Sequence, residues 1–234
     1  MAIMEFKGLT KAYKDVVAVN NLTADIEAGR ITGFLGPNGA GKSTALRCLL
    51  SLAAPTSGRA FIRGASYAEL KNPMKEVGAV IETGGFNPTL SGLKNLRIIA
   101  ASAGIPDHRA IEVLDLVDLT DARNKRVKEY SLGMKQRLSL ASALLGEPEI
   151  LILDEPANGL DPIGIAWLRQ FLKKLASNGH SILISSHQLA EMQHTVDDVL
   201  ILHKGRLIAQ GRMAEIVGDG TLEEAFIRLV ERSA

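Results

Sequence analysis

Nine consecutive residues carry the clearest chemistry: Gly36, Pro37, Asn38, Gly39, Ala40, Gly41, Lys42, Ser43 and Thr44 contain G-x-x-x-x-G-K-[ST] in full. Glycines at these positions let successive backbone N–H groups converge on phosphate oxygens with no Cβ in the way. Lys42 is expected to reach the β- and γ-phosphates of a nucleotide, and the Ser43 hydroxyl to ligate Mg²⁺. A second pair, Asp154 and Glu155, follows the apolar run Ile150-Leu151-Ile152-Leu153. Asp154 has the place of a buried carboxylate that holds Mg²⁺ through its water shell. Glu155 faces the other way if strand geometry persists, toward a water attacking the terminal phosphate, as base or orienter. Two acids ending a strand can also be plain solvated loop, but a phosphate loop upstream favours chemistry. His187, after the run Ser181–Ser186, is placed to donate a hydrogen bond to the γ-phosphate and sense its loss. Taken alone, such a histidine is more often structural.

Other residues leave two readings open. Tyr13 is one of only three tyrosines and could stack on a base or be a half-buried sheet aromatic. Asp161, in Asn158-Gly159-Leu160-Asp161-Pro162, could be a functional loop carboxylate or a helix N-cap. The basic run Arg123-Asn124-Lys125-Arg126-Val127-Lys128 could be a solvated face or a contact for a partner's acidic residues. His108, His180, His194 and His203 sit in polar or turn-like settings and are assigned no role. No His/Cys grouping has zinc-ligand spacing.

These residues need elements to position them. Ile31–Leu35 reads as a buried strand entering the phosphate loop, and Thr44 to Leu52 as the helix leaving it, whose N-terminus adds its field to the phosphate site. Alternation in Met4–Lys7 and Leu22–Ile26 predicts a small antiparallel sheet ahead of the loop. Val77–Ile81, Ile150–Leu153 and Ser181–Ser185 are continuous apolar strands alternating with helices. That pattern argues an α/β fold with a mainly parallel sheet covered on both faces. Between Val77–Ile81 and Ile150–Leu153 the texture is helical, with helices expected over Leu93–Ala103, Asp107–Val117 and Leu132–Leu145. Residues 86–146 are therefore expected to form a helical lobe inserted in a single domain of 1–234, and 211–234 a short helical tail. Further helices are expected at Pro162–Ser177 and Gln188–Val196, and Thr221-x-x-Glu224 has the form of a capping box. In parallel sheets ligands bind beyond the carboxyl ends of the strands. Gly36, Glu82, Asp154 and His187 all follow strand ends and can converge there.

The composition fits. With 234 residues, 46% apolar and 23% charged, the chain can bury a sizeable core. A formal net charge of +1 gives no overall sign of a nucleic-acid binder. The single cysteine, Cys48, excludes an intrachain disulfide framework, which suits a reducing compartment. Met1–Glu5 has no signal-peptide pattern. The longest apolar stretch, Ile98–Ile105, is far short of the ~20 residues that cross a bilayer. Direct membrane insertion is not expected, so a role at a membrane must pass through a partner.

With these motifs in hand, the chain resembles the nucleotide-binding subunits of ATP-binding cassette (ABC) transporters over essentially its whole length. It is most similar to the branch that serves separate membrane subunits in bacitracin, lantibiotic and multidrug export and immunity. The resemblance implies an ATPase using ATP and Mg²⁺, with Tyr13 stacking on adenine, Gly36–Thr44 as phosphate loop and Lys42 as its cation. It makes Asp154 and Glu155 the Mg²⁺-site aspartate and catalytic glutamate, Asn158–Asp161 a loop that communicates across a dimer, and His187 the switch histidine. Ser131 and Gly133 would bind the γ-phosphate of ATP held by a second copy. It further implies separate permease subunits and a peripheral place on the cytoplasmic side of the membrane. Two departures stand out. The usual Leu-Ser-Gly-Gly-Gln signature is Tyr130-Ser131-Leu132-Gly133-Met134 here, and Glu82 replaces the usual glutamine. A carboxylate can still bind Mg²⁺ or its water, but cannot donate as an amide does. Two rivals within the family are an importer subunit and a soluble non-transport ATPase. Against them stand the short stretch after the last hairpin, the lack of coiled-coil or zinc insertions, and the single phosphate loop.

Overall fold

The computed structural model describes residues 2–81 and 85–233. In chain order the elements are β1 (Ala2–Tyr13), β2 (Val16–Glu27), β3 (Ile31–Leu35), α1 (Lys42–Leu49), β4 (Ser57–Ile62), α2 (Pro73–Glu76), β5 (Val77–Val80), α3 (Gly92–Ser102), α4 (His108–Leu116), α5 (Leu132–Ala143), β6 (Ile150–Asp154), α6 (Pro162–Ser177), β7 (Ser181–Ser186), α7 (Leu189–Gln193), β8 (Asp198–His203), β9 (Arg206–Arg212), α8 (Met213–Val217) and α9 (Leu222–Ser233).

Six strands form one sheet in the order β5-β6-β7-β3-β8-β9. All pairs are parallel except β8–β9, an antiparallel hairpin. The sheet is covered on both faces, and successive residues of β6 show it. Ile150 and Ile152 pack with α1 and the small sheet, whereas Leu151 and Leu153 pack with α5 and α6. The small sheet, ordered β2-β1-β4, is antiparallel throughout. Its inner residues Phe6, Leu9, Leu22 and Ile26 are fully buried, and the Phe6 ring stacks on Phe34 of β3 at 6.0 Å. That contact seats the small sheet against the strand that feeds the phosphate loop.

Between β5 and β6 the described residues contain α3, α4 and α5 and no strand. Their apolar faces (Leu96, Ala100, Val113, Leu114, Leu138, Ala141) are buried in the same cluster as one face of the large sheet. Tyr130 closes this region. Its ring is 4% exposed and its hydroxyl donates to the Ala122 carbonyl at 2.9 Å. Burial pushes the Tyr130 phenol up from its ordinary value.

Several boundaries differ from expectation, and three of them have a clear local reason. The helix after the phosphate loop stops at Leu49, not Leu52. Ser51 turns left-handed (φ 56°), and the Leu52 and Ala53 N–H groups fold back onto the Arg47 carbonyl. The helix expected over Gln188–Val196 is α7 alone. Thr195 and Val196 N–H groups bond the Met192 carbonyl, and Asp197 N–H crosses to Ile31 O at 2.8 Å, which launches β8. The tail expected to be helical from residue 211 starts two residues later, because Gly211 and Arg212 still pair with Val199 and Asp198 in β9. The capping box forms at α9: Thr221 N–H meets Glu224 Oε2 at 2.8 Å, and Glu224 N–H meets Thr221 Oγ1 at 3.2 Å. Among the described residues no helix is long and apolar enough to cross a membrane.

Candidate functional site

The loop between β3 and α1 has a shape only glycine permits at two points. Gly36 and Gly41 have φ of 150° and 103°, and a Cβ would strike the Leu202 carbonyl at Gly36 and the Ala18 carbonyl at Gly41. The loop is thus wedged between the β2 hairpin and the β8–β9 hairpin. Gly205 N–H reaches Ala40 O at 3.1 Å and Asn20 N–H reaches Gly205 O at 2.8 Å, which ties all three together. Lys42 is only 5% exposed. Its ammonium donates to Gly36 O at 2.7 Å and Pro37 O at 3.2 Å.

The acidic pair meets this loop at the sheet edge. Asp154 is the last residue of β6, and its Oδ1 accepts from the Ser185 hydroxyl on neighbouring β7. Glu155 does not owe its direction to strand alternation. It turns into the left-handed region (φ 49°), with its N–H bonded to Ser185 Oγ at 3.0 Å and Ser185 O at 3.2 Å. A non-glycine residue in that conformation is held there by its surroundings. The turn carries Glu155 Oε1 to 3.3 Å from Lys42 Nζ and Oε2 to 2.8 Å from His187 Nδ1. One carboxylate therefore bridges the phosphate-loop lysine and the histidine after β7. Ser185, fully buried, holds both acids in place and was not singled out in the sequence. A paired serine at the end of an apolar strand, beside the acids' strand, was the signal.

Lys42, Glu155 and His187 share a cavity of about 320 Å³ with Asn38, Gly39, Ala40, Gly41, Ser43, Thr44 and Asn158. Its size falls in the usual range for small-molecule sites. Hard oxygen donors there suit Mg²⁺, which takes one or two protein oxygens and leaves the rest to waters and phosphates. Ser43 is such a donor and lines the cavity; Asp154, its carboxylate bonded to Ser185, is one residue from Glu155 but does not line it. The described residues hold no group of three or more His, Cys, Asp or Glu able to cage a metal by themselves. Glu82 lies outside the described residues. Tyr13 does not line this cavity: it sits at the β1–β2 hairpin tip, 46% exposed, with Lys11 Nζ 4.8 Å over its ring and exposed Val16 and Val17 beside it.

Ser131, Gly133 and Asp161 gather elsewhere. They line a second cavity of about 410 Å³ between the starts of α5 and α6, and none of them lines the first. Ser131 caps α5, accepting from Met134 N–H at 3.2 Å. Asp161 caps α6, accepting from Gly164 N–H at 2.7 Å, so the helix-cap reading describes its contact here. The chain thus presents two separate cavities: one with the phosphate loop, Glu155 and His187, and one at the N-terminus of α5, which Ser131 caps.

Residues 19–158 match the ABC transporter family. The chain is 43% identical over 217 residues to the bacitracin transport ATP-binding protein BcrA of Enterococcus faecalis, covering 92% of this chain and 70% of that one. It is 36% identical over 224 residues to the lantibiotic transport ATP-binding protein SrtF of Streptococcus pyogenes, covering 96% of each. Among solved structures, a dimeric bacterial ABC transporter cassette superposes with a TM-score of 0.81 at 25% identity, covering 90% of this chain and 98% of that one.

Proposed function

The chain belongs to the ATP-binding cassette transporter family, on the side of the bacitracin and lantibiotic transport ATP-binding proteins, and from this we propose that it is the ATP-hydrolysing subunit of an exporter. Two copies would close head to tail around two ATP molecules, each ATP held by one copy's phosphate loop and by Ser131 and Gly133 of the other. The two sites are then related by two-fold symmetry. The observation that carries this reading is the split of the site: Lys42, Glu155 and His187 share one cavity, while Ser131, at a helix N-terminus, lines another.

Gly39, Gly41, Lys42 and Thr44 would bind the phosphates through backbone N–H groups and the ammonium, with Pro37, Asn38 and Ala40 shaping the loop. Tyr13 would stack on adenine. Ser43, Asp154 and Glu82 would hold Mg²⁺, which when bound neutralises charge on the β- and γ-phosphates. Glu155 takes a proton from water as its oxygen bonds to the γ-phosphorus and the bond to the β–γ bridging oxygen breaks, leaving ADP and phosphate. His187 orients Glu155 through Nδ1 and offers its other ring nitrogen to the γ-phosphoryl group. Loss of that group removes the contacts shared with the partner's Ser131 and Gly133, and the dimer opens. Asp161 and its loop lie beside that seam. The helices of residues 86–146 serve as the lobe on which permease subunits rest, with residues 213–233 as a short tail. The chain would then lie on the cytoplasmic side of the membrane, attached through those subunits, with no nucleic acid involved.

Expression of the chain in its source cell tests this. Purified protein is expected to hydrolyse Mg²⁺-ATP and to co-purify with a membrane permease, with turnover lost in Glu155→Gln. Co-purification with ribosomes or DNA ends instead would overturn the transport reading, and net uptake by reconstituted vesicles with ATP outside would fit export in inverted orientation. Binding-protein-dependent import would move the chain to the importer class.

A further inference from the structure

The second cavity is bordered by a cluster of contacts that the proposed chemistry does not use. Trp167, the only tryptophan of the chain, lies on α6 and stacks on Phe171 one turn further on, with ring centroids 5.0 Å apart. Its Nε1 donates to Asp118 Oδ2 at 2.7 Å, and Asp118 lies just beyond α4. Arg137 of α5 closes the triangle. Its guanidinium carbon sits 4.0 Å above the Trp167 ring, and Nη1 reaches both Asp118 Oδ2 and Val117 O at 3.3 Å. One aromatic side chain from the core thus holds a cation of α5 and an anion following α4 at once. Hydrogen bonding to a charged acceptor and a cation over an indole face are among the stronger polar contacts available at a partly exposed site.

A second tie lies one and a half turns earlier on α5. Leu132, the residue that replaces a glycine of the usual signature, packs so closely over Gly159 that any Cβ there would strike its Cδ2. A Cβ on Gly133 would meet Leu160 Cδ2 at ordinary van der Waals distance, so Leu160 lies close by. The loop under these contacts runs straight from the catalytic turn: Asn158 N–H bonds Glu155 O at 3.1 Å, and Leu160 N–H bonds Ala157 O at 3.1 Å.

We propose that Trp167, Arg137 and Asp118 are positioning residues that clasp the start of α5 to α6, so that Ser131, Gly133 and the loop 156–161 move as one block. The γ-phosphate that a partner's site presents to Ser131 then acts, through this block, on the chain's own Glu155. The clasp makes hydrolysis at one site answer to ATP at the other. This inference rests on the reading that Ser131 and Gly133 complete a partner's site.

The test uses the full chain in two backgrounds. In Glu155→Gln protein, ATP-driven pairing is followed by size-exclusion light scattering. In protein with Glu155 intact, turnover is followed against ATP concentration. Asp118 has φ 55°, so Asp118→Gly removes the carboxylate without forcing the backbone, and Asp118→Asn keeps an acceptor for the indole. Trp167→Leu removes the indole altogether. Trp167→Leu and Asp118→Gly are expected to raise the ATP concentration for pairing about tenfold, equivalent to about 1.4 kcal/mol. They are also expected to lower kcat with little change in KM and to flatten the ATP response from cooperative to hyperbolic. Asp118→Asn should restore most of both. A packing role alone would shift the unfolding midpoint and leave the cooperativity intact. Should Trp167→Leu fail to fold, Asp118→Gly with its Asn counterpart decides. If the Glu155→Gln parent does not pair, the shared-site reading falls and the clasp with it. If the parent pairs and the clasp variants pair and turn over alike, the clasp alone is overturned.

Discussion

Glu155 is the residue on which the site turns, and its setting is unusual for an acid. It leaves the sheet in a left-handed turn, is fastened by two bonds to Ser185, and bridges Lys42 and His187. The sequence made the acids, the lysine and the histidine legible as types and spacings. It could not show that a left-handed turn and not strand alternation aims the carboxylate, because that depends on Ser185 of a neighbouring strand. Gly41 is equally constrained. Gly41→Ala meets both a forbidden φ and the Ala18 carbonyl, so a loss of about 2 kcal/mol in urea unfolding is expected, with ATP affinity at least tenfold weaker by calorimetry. Cys48 behaves oppositely. It is 6% exposed, and burial raises its thiol. Native protein is expected to react with a thiol reagent at pH 8 far more slowly than urea-unfolded protein, as followed by absorbance; equal rates would mean the helix carrying it opens readily.

At the scale of elements, the strands and most helices were readable because burial on both sheet faces leaves mainly apolar runs, as in Ile150–Leu153 of β6 and Ile182–Ile184 of β7. What was not readable were ends. The stop of α1 depends on a left-handed Ser51, and the brevity of α7 on a backbone bond from Asp197 to Ile31 across the fold. Neither leaves a residue-type mark. Helix starts were better announced, and they carry a test. Asp161→Ala removes the cap of α6 and is expected to cost about 1 kcal/mol in chemical unfolding, while Asp161→Asn stays near neutral. Tyr130→Phe should likewise cost about 1 kcal/mol, from the loss of the hydroxyl bond to Ala122 in a buried setting.

For the whole molecule, the phosphate-loop cavity and the cavity at the start of α5 are separate, and the proposed function joins them only through a second copy. Tyr13 stands at a hairpin tip with exposed Val16 and Val17, the surface on which we propose that adenine stacks. The motifs pointed to the phosphate loop, the acids and the histidine but not to Ser185, and sequence order gives no hint that Ser131 and Lys42 line separate cavities. That division places Ser131 at the cap of α5 and Lys42 at the start of α1. It also makes pairing the property to measure. Light scattering of Glu155→Gln protein with Mg²⁺-ATP is the most direct measurement. A doubling of mass with ATP and not with ADP, abolished by Ser131→Arg, is expected. A monomer throughout, with unchanged hydrolysis in the same variant, would contradict a shared ATP site served by Glu155.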